Sequence, residues 1–291
     1  MIEQNKSKVF VKKFSGILEP YNRNKLKKSC RKAGASKRIT DKIVEEFEKK
    51  FLYNGITTKE IHDKIYELLE KESLTLSSRY RLKEAMMKLG PEGFSFENFF
   101  ARIMEHYGYK TRLRSVIRGK CAFHEIDIIA EKTISRKIYR CMIECKYHNS
   151  PGIYTGLKET LYTYARFLDL KDGSRLGLCE RFNEAWLITN TKFSEEAKMY
   201  AECKGIKAIG WKYPKNQGLE VLIESKLLYP ITILKSIKKE QLRKFSEANI
   251  IMVKDILEKD IKELIDKTGV SEEELLSIKD EGRKLLSYAI E

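Results

Sequence analysis

Two neighbouring stretches decide the reading: His124-Glu125-Ile126-Asp127-Ile128-Ile129-Ala130 and Cys141-Met142-Ile143-Glu144-Cys145-Lys146-Tyr147-His148-Asn149. Both are apolar runs of strand length with charged residues set among the aliphatic ones. Side chains alternate along a strand, so Glu144 and Lys146 project from one side, and Cys145 points the other way with Ile143. In the first stretch Ile126, Ile128 and Ala130 share a face and Asp127 takes the opposite one. A hairpin through residues 131–136 lets Asp127 meet Glu144 across the ladder.

That arrangement has a chemical purpose. Two carboxylates a few ångströms apart repel, and a divalent cation relieves the repulsion. Hard oxygen donors suit Mg²⁺, which keeps several waters and takes phosphate oxygens. Such a cation acidifies water and stabilises charge at a phosphoryl group, and a nearby ammonium orients the water. Asp127, Glu144 and Lys146 therefore read as a set for phosphodiester hydrolysis. An isolated E-x-K is ordinarily a surface ion pair. Here it lies in an apolar strand, follows a second apolar strand with one central Asp, and is flanked by basic residues.

Around this core the chain divides into three segments: 1–90, 91–228 and 229–291. The first opens with a basic strand-like run, Lys8 to Phe14, and a turn at Gly16. Helical patterns follow at Asn24–Ala33, Thr40–Phe51, Thr58–Glu70 and Ser77–Lys88, the third with an N-cap at Thr57-Thr58. Gly90-Pro91 breaks the pattern. The second segment reads as helix (Phe94–Tyr107), strands (Lys110–Ile117, His124–Ala130, Lys137–Lys146), helix (Gly156–Leu168), strand (Ala185–Thr189), helix (Ser194–Cys203, closing at Gly205), and strands at Lys207–Ile209 and Leu219–Ile223. This mixture predicts an α/β core with a central mixed sheet flanked by helices. The third segment reads as short helices separated by Asn249, Asp260 and Gly269.

The 291 residues carry a net charge of +15 and a hydrophobic fraction of 42%. The charge is uneven: +10 over 1–90, +6 over 91–229 and −1 over 230–291. A basic excess on the first two thirds favours a polyanionic partner. No apolar run approaches the length of a membrane span, and the first residues hold no signal core. The six cysteines form no C-x-x-C pair, which fits reduced thiols and a cytoplasmic location. His148 and Asn149 are placed to reach phosphate. With Cys141 and Cys145, His148 also raises a zinc reading, for which a fourth ligand at finger spacing is missing. Arg112, Arg114, Arg118 and Lys120 fit either a DNA groove or a solvated strand edge.

Phe96-Glu97, Gly108-Tyr109, Gly119, His124-x-x-Asp127, Glu144-Cys145-Lys146-Tyr147-His148, Thr189-Asn190-x-x-Phe193-Ser194-x-x-Ala197 and Gly210-Trp211 resemble the Mrr-like (type IV) restriction endonucleases, within the PD-(D/E)xK superfamily. The resemblance covers about residues 91–225. It implies a restriction-endonuclease-like fold in which Asp127, Glu144 and the Cys145 carbonyl ligate the metal and Lys146 handles the attacking water. It also implies that Glu97 binds a metal-held water or a second cation. Lys12-Lys13, Gly16, Tyr21 and Lys25 resemble the start of an ATP-cone domain spanning about residues 7–90. That resemblance implies that Lys12, Lys13 and Lys25 contact the phosphates of ATP or dATP around the Gly16 turn. Lys13 and Tyr21 stand where the family has Arg and Phe. Residues 250–289, including Thr268-Gly269-Val270 and Ala289, look like a degenerate helix-hairpin-helix pair whose Gly turn would offer N–H groups to phosphate; packing or oligomerisation is the other reading.

The expected protein is a Mg²⁺-dependent DNA endonuclease of restriction type, regulated by nucleotide and forming a homo-oligomer. A repair or junction-resolving nuclease is the alternative within the class. A nucleotide-responsive DNA-binding regulator on a vestigial nuclease fold is the alternative outside it.

Overall fold

The computed structural model describes residues 9–13, 15–90, 95–150 and 152–287. The expected boundary at Pro91, the start of the helix at Phe94, the strand positions Lys8 and Phe14, and Ala289 lie outside the described residues. The chain forms two compact units. One holds the described residues up to Glu84 with those from Lys279 onward; the other is Ala85–Ile278.

The first unit begins with β1 (Phe10–Lys12) and β2 (Leu18–Pro20), antiparallel with Val11 opposite Glu19. Its helices are α1 (Arg23–Lys32), α2 (Lys37–Lys50), α3 (Thr58–Glu72) and α4 (Leu74–Tyr80), followed by α5 (Leu82–Lys88). Each of the first three is started by a side chain that takes an otherwise unpaired N–H: Asn22, Ser36 and Thr57. Thr57 and Glu60 complete a capping box. Val11, Leu26, Cys30, Ile43, Val44, Phe47, Ile65 and Leu69 form the core. The single helix expected over Ser77–Lys88 is two helices. The chain turns at Arg81 (φ −90°, ψ 6°), whose N–H goes to the Ser77 and Ser78 carbonyls and whose guanidinium pairs with Glu84.

In the second unit the central sheet has the order β3-β4-β5-β7-β9. α6 (Phe96–His106) leads into β3 (Lys110–Arg118), β4 (Phe123–Ile134) and β5 (Lys137–Lys146), an antiparallel meander. After the two-residue β6 (Tyr154–Thr155), the crossover helix α7 (Leu157–Arg175) brings the chain back as β7 (Glu184–Thr189), parallel to β5. β8 (Lys192–Phe193) pairs with β6, α8 (Glu195–Lys204) follows, and β9 (Lys207–Ile209) completes the sheet parallel to β7. Ile126, Ile129, Met142 and Ala185 pack under Phe167 and Leu170 of α7. Leu187 and Ala208 pack under Ala197 and Ala201 of α8. Lys132, whose parity is that of the opposite face, bonds the Tyr107 carbonyl just beyond α6.

The strand expected at Leu219–Ile223 is instead a helix, α9 (Leu219–Glu224). A short apolar run suits either conformation, and the preceding loop decides. The N–H groups of Leu219 and Glu220 are taken by the Gly210 and Trp211 carbonyls. Gly218 passes so close that a Cβ there would lie 2.8 Å from the Trp211 oxygen.

Beyond a 3-10 turn at Ile231–Ile233 come α10 (Lys239–Glu247), α11 (Val253–Glu258), α12 (Ile261–Thr268) and α13 (Glu272–Ser287). Asn249 (φ 53°) lies between α10 and α11, Asp260 caps α12, and Gly269 (φ 59°) ends it. The Gly269 N–H is spent on the Ile265 carbonyl and that of Val270 on the Thr268 hydroxyl. No helix among the described residues is long and apolar enough to cross a membrane.

Candidate active site

The β4–β5 hairpin closes through Ser135 and Arg136 alone, both with positive φ (48° and 64°), as a two-residue hairpin loop of type I′ requires. The register runs from Ile134 opposite Lys137 to Ile128 opposite Ile143, and there the backbone ladder stops. The next pair is Asp127 and Glu144. Asp127 Oδ2 accepts the Cys145 N–H at 2.7 Å, so a side chain takes the place of the ladder's carbonyl.

The other edge of β4 is also interrupted at Asp127. Pairing with β3 passes from Leu113–Ile128 to Ser115–Ile126 and skips Arg114, which has φ 45°. Ile126 and Ile129, three residues apart, pack into the same cluster under α7. Strict alternation would put them on opposite faces, so the facing of β4 reverses around Asp127. The expected sharing of one face by Ile126 and Ile128 therefore does not hold. A non-glycine residue at positive φ costs energy and persists only where its surroundings enforce it.

Glu144 is buried, 4% exposed. Its Oε1 accepts from Lys146 Nζ at 2.7 Å, and its Oε2 accepts from Arg166 Nη1. The second Arg166 nitrogen, Nη2, donates to the Glu125 carbonyl. Burial, the Glu144 charge and the Glu97 charge push Asp127 up to about 6, against the pull of the Cys145 N–H and of Lys146. Burial works to lower the Lys146 pKa, but the hydrogen bond and charge of Glu144 outweigh it and hold the ammonium above its ordinary value. Burial, joined by the charges of Asp127, Glu97 and Glu144, raises the Cys145 thiol well above its usual range. Glu97 lies in the first turn of α6, its carboxylate accepting from the Ser95 hydroxyl. It acts on Asp127 through charge rather than through a direct bond.

Arg166 escapes a reading of motifs because it lies on α7, 20 residues after Lys146. A signal was available: Thr160, Thr163 and Arg166 recur every third residue beside Phe167 and Leu170, marking a polar stripe that faces inward. Asn190 follows the last residue of β7. Its Oδ1 accepts the His148 N–H at 2.8 Å and its Nδ2 donates to the His148 carbonyl at 2.7 Å. This two-point clamp fixes the chain just past Lys146. His148 is thereby held against Thr155, and burial lowers its pKa. His124 bonds Asp169 at 2.7 Å, and Asp169 also accepts the Cys121 and Ala122 N–H groups. Burial opposes the ionised form of Asp169, but these bonds hold it at about 2. Gly119 is obligatory in this loop, since a Cβ would lie 2.0 Å from Asp169 Oδ2.

Among the described residues no group of three or more His, Cys, Asp or Glu side chains is arranged to hold a metal, which leaves the zinc reading without support. Asp127 and Glu144 are a two-carboxylate site. The donor set fits a hard divalent cation: Glu144 already draws two cationic groups, and Asp127 Oδ1 takes no hydrogen bond among the described residues. Of the basic residues on the edge strand β3, Arg112 is paired with Glu131 and Glu180, and Arg118 lies over the Phe123 ring.

The first unit contains a cavity of about 220 Å³. Lys13, Glu19, Tyr21, Lys25, His62 and Tyr80 line it. Glu19 lies between the two lysines, 3.1 Å from Lys13 and 3.4 Å from Lys25, and their hydrogen bonds and charges lower its pKa. The structure thus brings Lys13 and Lys25 together but leaves Lys12 and Gly16 outside the lining. The Lys12 N–H pairs with the Ile56 carbonyl, and Gly16 (φ 84°) makes the exposed turn. His62 stacks on Tyr80 at 4.6 Å.

Comparison with known proteins matches three families: an ATP cone domain over residues 9–83, a restriction endonuclease domain over 90–211 and the AF1548-like C-terminal domain over 229–286. An uncharacterized protein of Archaeoglobus fulgidus is 45% identical over 186 residues, spanning 64% of this chain and 99% of that protein. A crystal structure of AF1548, described as a protein of unknown function, is 43% identical with a TM-score of 0.54, over 66% of this chain and 96% of that one. With a nuclease domain of restriction-endonuclease type built on the mixed five-stranded sheet, and an ATP cone ahead of it, the chain belongs to the Mrr-like restriction endonucleases.

Proposed function

We propose that the protein is a Mg²⁺-dependent DNA endonuclease that hydrolyses phosphodiester bonds in a restriction system under the control of ATP or dATP. The observation that carries this is the meeting of Glu144 and Lys146 on one side of β5 beside the Asp127 carboxylate. Asp127, Glu144 and the Cys145 carbonyl would hold the cation. When bound, Mg²⁺ supplies a Lewis acid for the charge that develops on the phosphate and lowers the pKa of water. Lys146 orients the attacking water and adds positive charge at the phosphate. Glu97 would hold a metal-held water or a second cation. The domains are 1–90 for nucleotide, 91–228 for cleavage and 229–291 as a helical, helix-hairpin-helix-like domain for packing or homo-oligomerisation. Incubation of modified and unmodified plasmid with and without Mg²⁺ and ATP tests the reading. Nicking or linearisation that needs the metal is expected; intact plasmid under every condition would overturn it.

The cation must compete with the proton on Asp127. Because this acid is raised to about 6, its carboxylate is ionised at pH 7.5 and increasingly protonated below 6. Mg²⁺ affinity should therefore fall by about tenfold per pH unit below 6. Calorimetry on DNA-free protein at pH 5.0, 6.0 and 7.5 reads this directly, and a flat profile would contradict it.

Nucleotide is expected to enter the cavity of the first unit, its phosphates taking the place of the Glu19 carboxylate between Lys13 and Lys25. The double substitution Lys13→Ala with Lys25→Ala should weaken ATP binding by roughly tenfold or more, as loss of charge-assisted hydrogen bonds does. Lys12→Ala should change it little, and Glu19→Gln should tighten it. Titration of a fluorescent ATP analogue into the full chain checks all three. Equal loss from Lys12→Ala and from the double variant would move the phosphates to the Gly16 turn.

A further inference from the structure

We propose that Arg166 is a positioning residue for Glu144, fixing one carboxylate oxygen so that the other is exchanged between the Lys146 ammonium and a divalent cation. The proposal rests on the reading of Asp127 and Glu144 as a metal pair.

The β4–β5 ladder ends at Ile128 opposite Ile143, short of both acids. Beyond that point side chains hold the strands together. One link is Asp127 to the Cys145 N–H. The other is Arg166, which grips the Glu144 carboxylate on β5 with Nη1 and the Glu125 carbonyl on β4 with Nη2. Glu125 lies two residues before Asp127, so one guanidinium joins the strand that bears the first acid to the side chain of the second.

Arg166 is 6% exposed, and its Nε is buried with no partner among the described residues. The Tyr162 ring lies 5.2 Å from the guanidinium. A buried ion pair commonly costs more in desolvation than its attraction returns, and an apolar side chain would cover the sheet as well. Stability alone does not account for an arginine here. Its planar fork, which reaches two acceptors at fixed geometry, accounts for the orientation.

Glu144 then has two unlike cationic partners. Arg166 is buried and pinned at its far nitrogen. The Lys146 side chain is 32% exposed and ends a flexible chain bound, among the described residues, through Glu144 Oε1. An incoming cation competes for Oε1, where the counter-ion can leave, and not for Oε2. Exchange also frees the ammonium beside the position where water and phosphate arrive.

The test uses the full chain, with Mn²⁺ binding to DNA-free protein followed by calorimetry and single-turnover plasmid cleavage measured at saturating metal. Arg166→Met is expected to leave Mn²⁺ affinity unchanged or raised, since a repelling charge is gone, while cleavage falls about a hundredfold from misplacement. A side chain with only a packing role would lose both together or neither. Arg166→Lys keeps the charge but cannot reach both acceptors, so an intermediate rate is expected. Lys146→Met should tighten Mn²⁺ binding by removing the competitor for Oε1. A wild-type cleavage rate in Arg166→Met overturns the proposal, as does a rate restored to wild type by excess metal. If Arg166→Met does not fold, Arg166→Lys decides, and a wild-type rate there overturns it. Wild-type protein that binds Mn²⁺ but cleaves no DNA sinks the nuclease reading instead. The Lys146→Met titration then decides the exchange, and an unchanged affinity refutes it.

Discussion

Replacing Asp127 or Glu144 by alanine is expected to abolish DNA cleavage while DNA binding survives. Each removes one of the two carboxylates available to the cation, and loss of the cation's charge stabilisation costs roughly a thousandfold or more in rate. Binding should persist or strengthen, because a negative charge facing phosphate is gone. Both variants also disturb the fold locally. Asp127→Ala deprives the Cys145 N–H of its acceptor, and Glu144→Ala leaves Arg166 as an unpaired buried charge, a defect of about 3–5 kcal/mol in buried pairs. Asp127→Asn and Glu144→Gln keep an acceptor oxygen in place and are the cleaner comparison. Single-turnover plasmid nicking, with DNA affinity measured in Ca²⁺, separates the two effects. Full cleavage by either amide variant would remove these residues from the proposed metal site.

The second large effect is at Lys146. Lys146→Ala should slow cleavage by roughly 10²–10³-fold, the size found when one preorganised donor at developing charge is removed, and should tighten Mg²⁺ binding. The reason is the 2.7 Å contact with Glu144 Oε1, which makes the ammonium a competitor of the cation for that oxygen. Calorimetry showing lost Mg²⁺ affinity beside an unchanged single-turnover rate would reverse the assigned role, making Lys146 a support for the cation rather than a group acting on water and phosphate.

These predictions combine two kinds of information. The same-side placement of Glu144 and Lys146 is legible in the sequence, because two residues along a strand return to the same face whatever surrounds them. So are the turn at Gly16, the cap at Thr57, and α8 between Ser194 and Gly205, since caps and turns are made by residues within a few positions of each other. The mixed sheet follows from the order of apolar runs. Two features are not legible in this way. The hairpin turn uses Ser135-Arg136 in place of the usual Asn-Gly, so its local signal is absent and β4 runs four residues further than the apolar pattern suggests. α9 is a helix because the Gly210 and Trp211 carbonyls, from the loop before it, take its first N–H groups.

By itself, then, the sequence determined the alternation that sets Glu144 and Lys146 side by side, and marked Asp127 as their candidate partner. Only the tertiary structure decided how they are held. The reversal of facing at Asp127 depends on Arg114 of the neighbouring strand, the closure of the lysine pair on Glu19 depends on β2 folding back on β1, and the gripping of Glu144 depends on an arginine one helix away. Strand alternation and capping act over a few bonds, so they are written locally. Each of these three contacts instead joins separate elements and exists only once packing has brought those elements together.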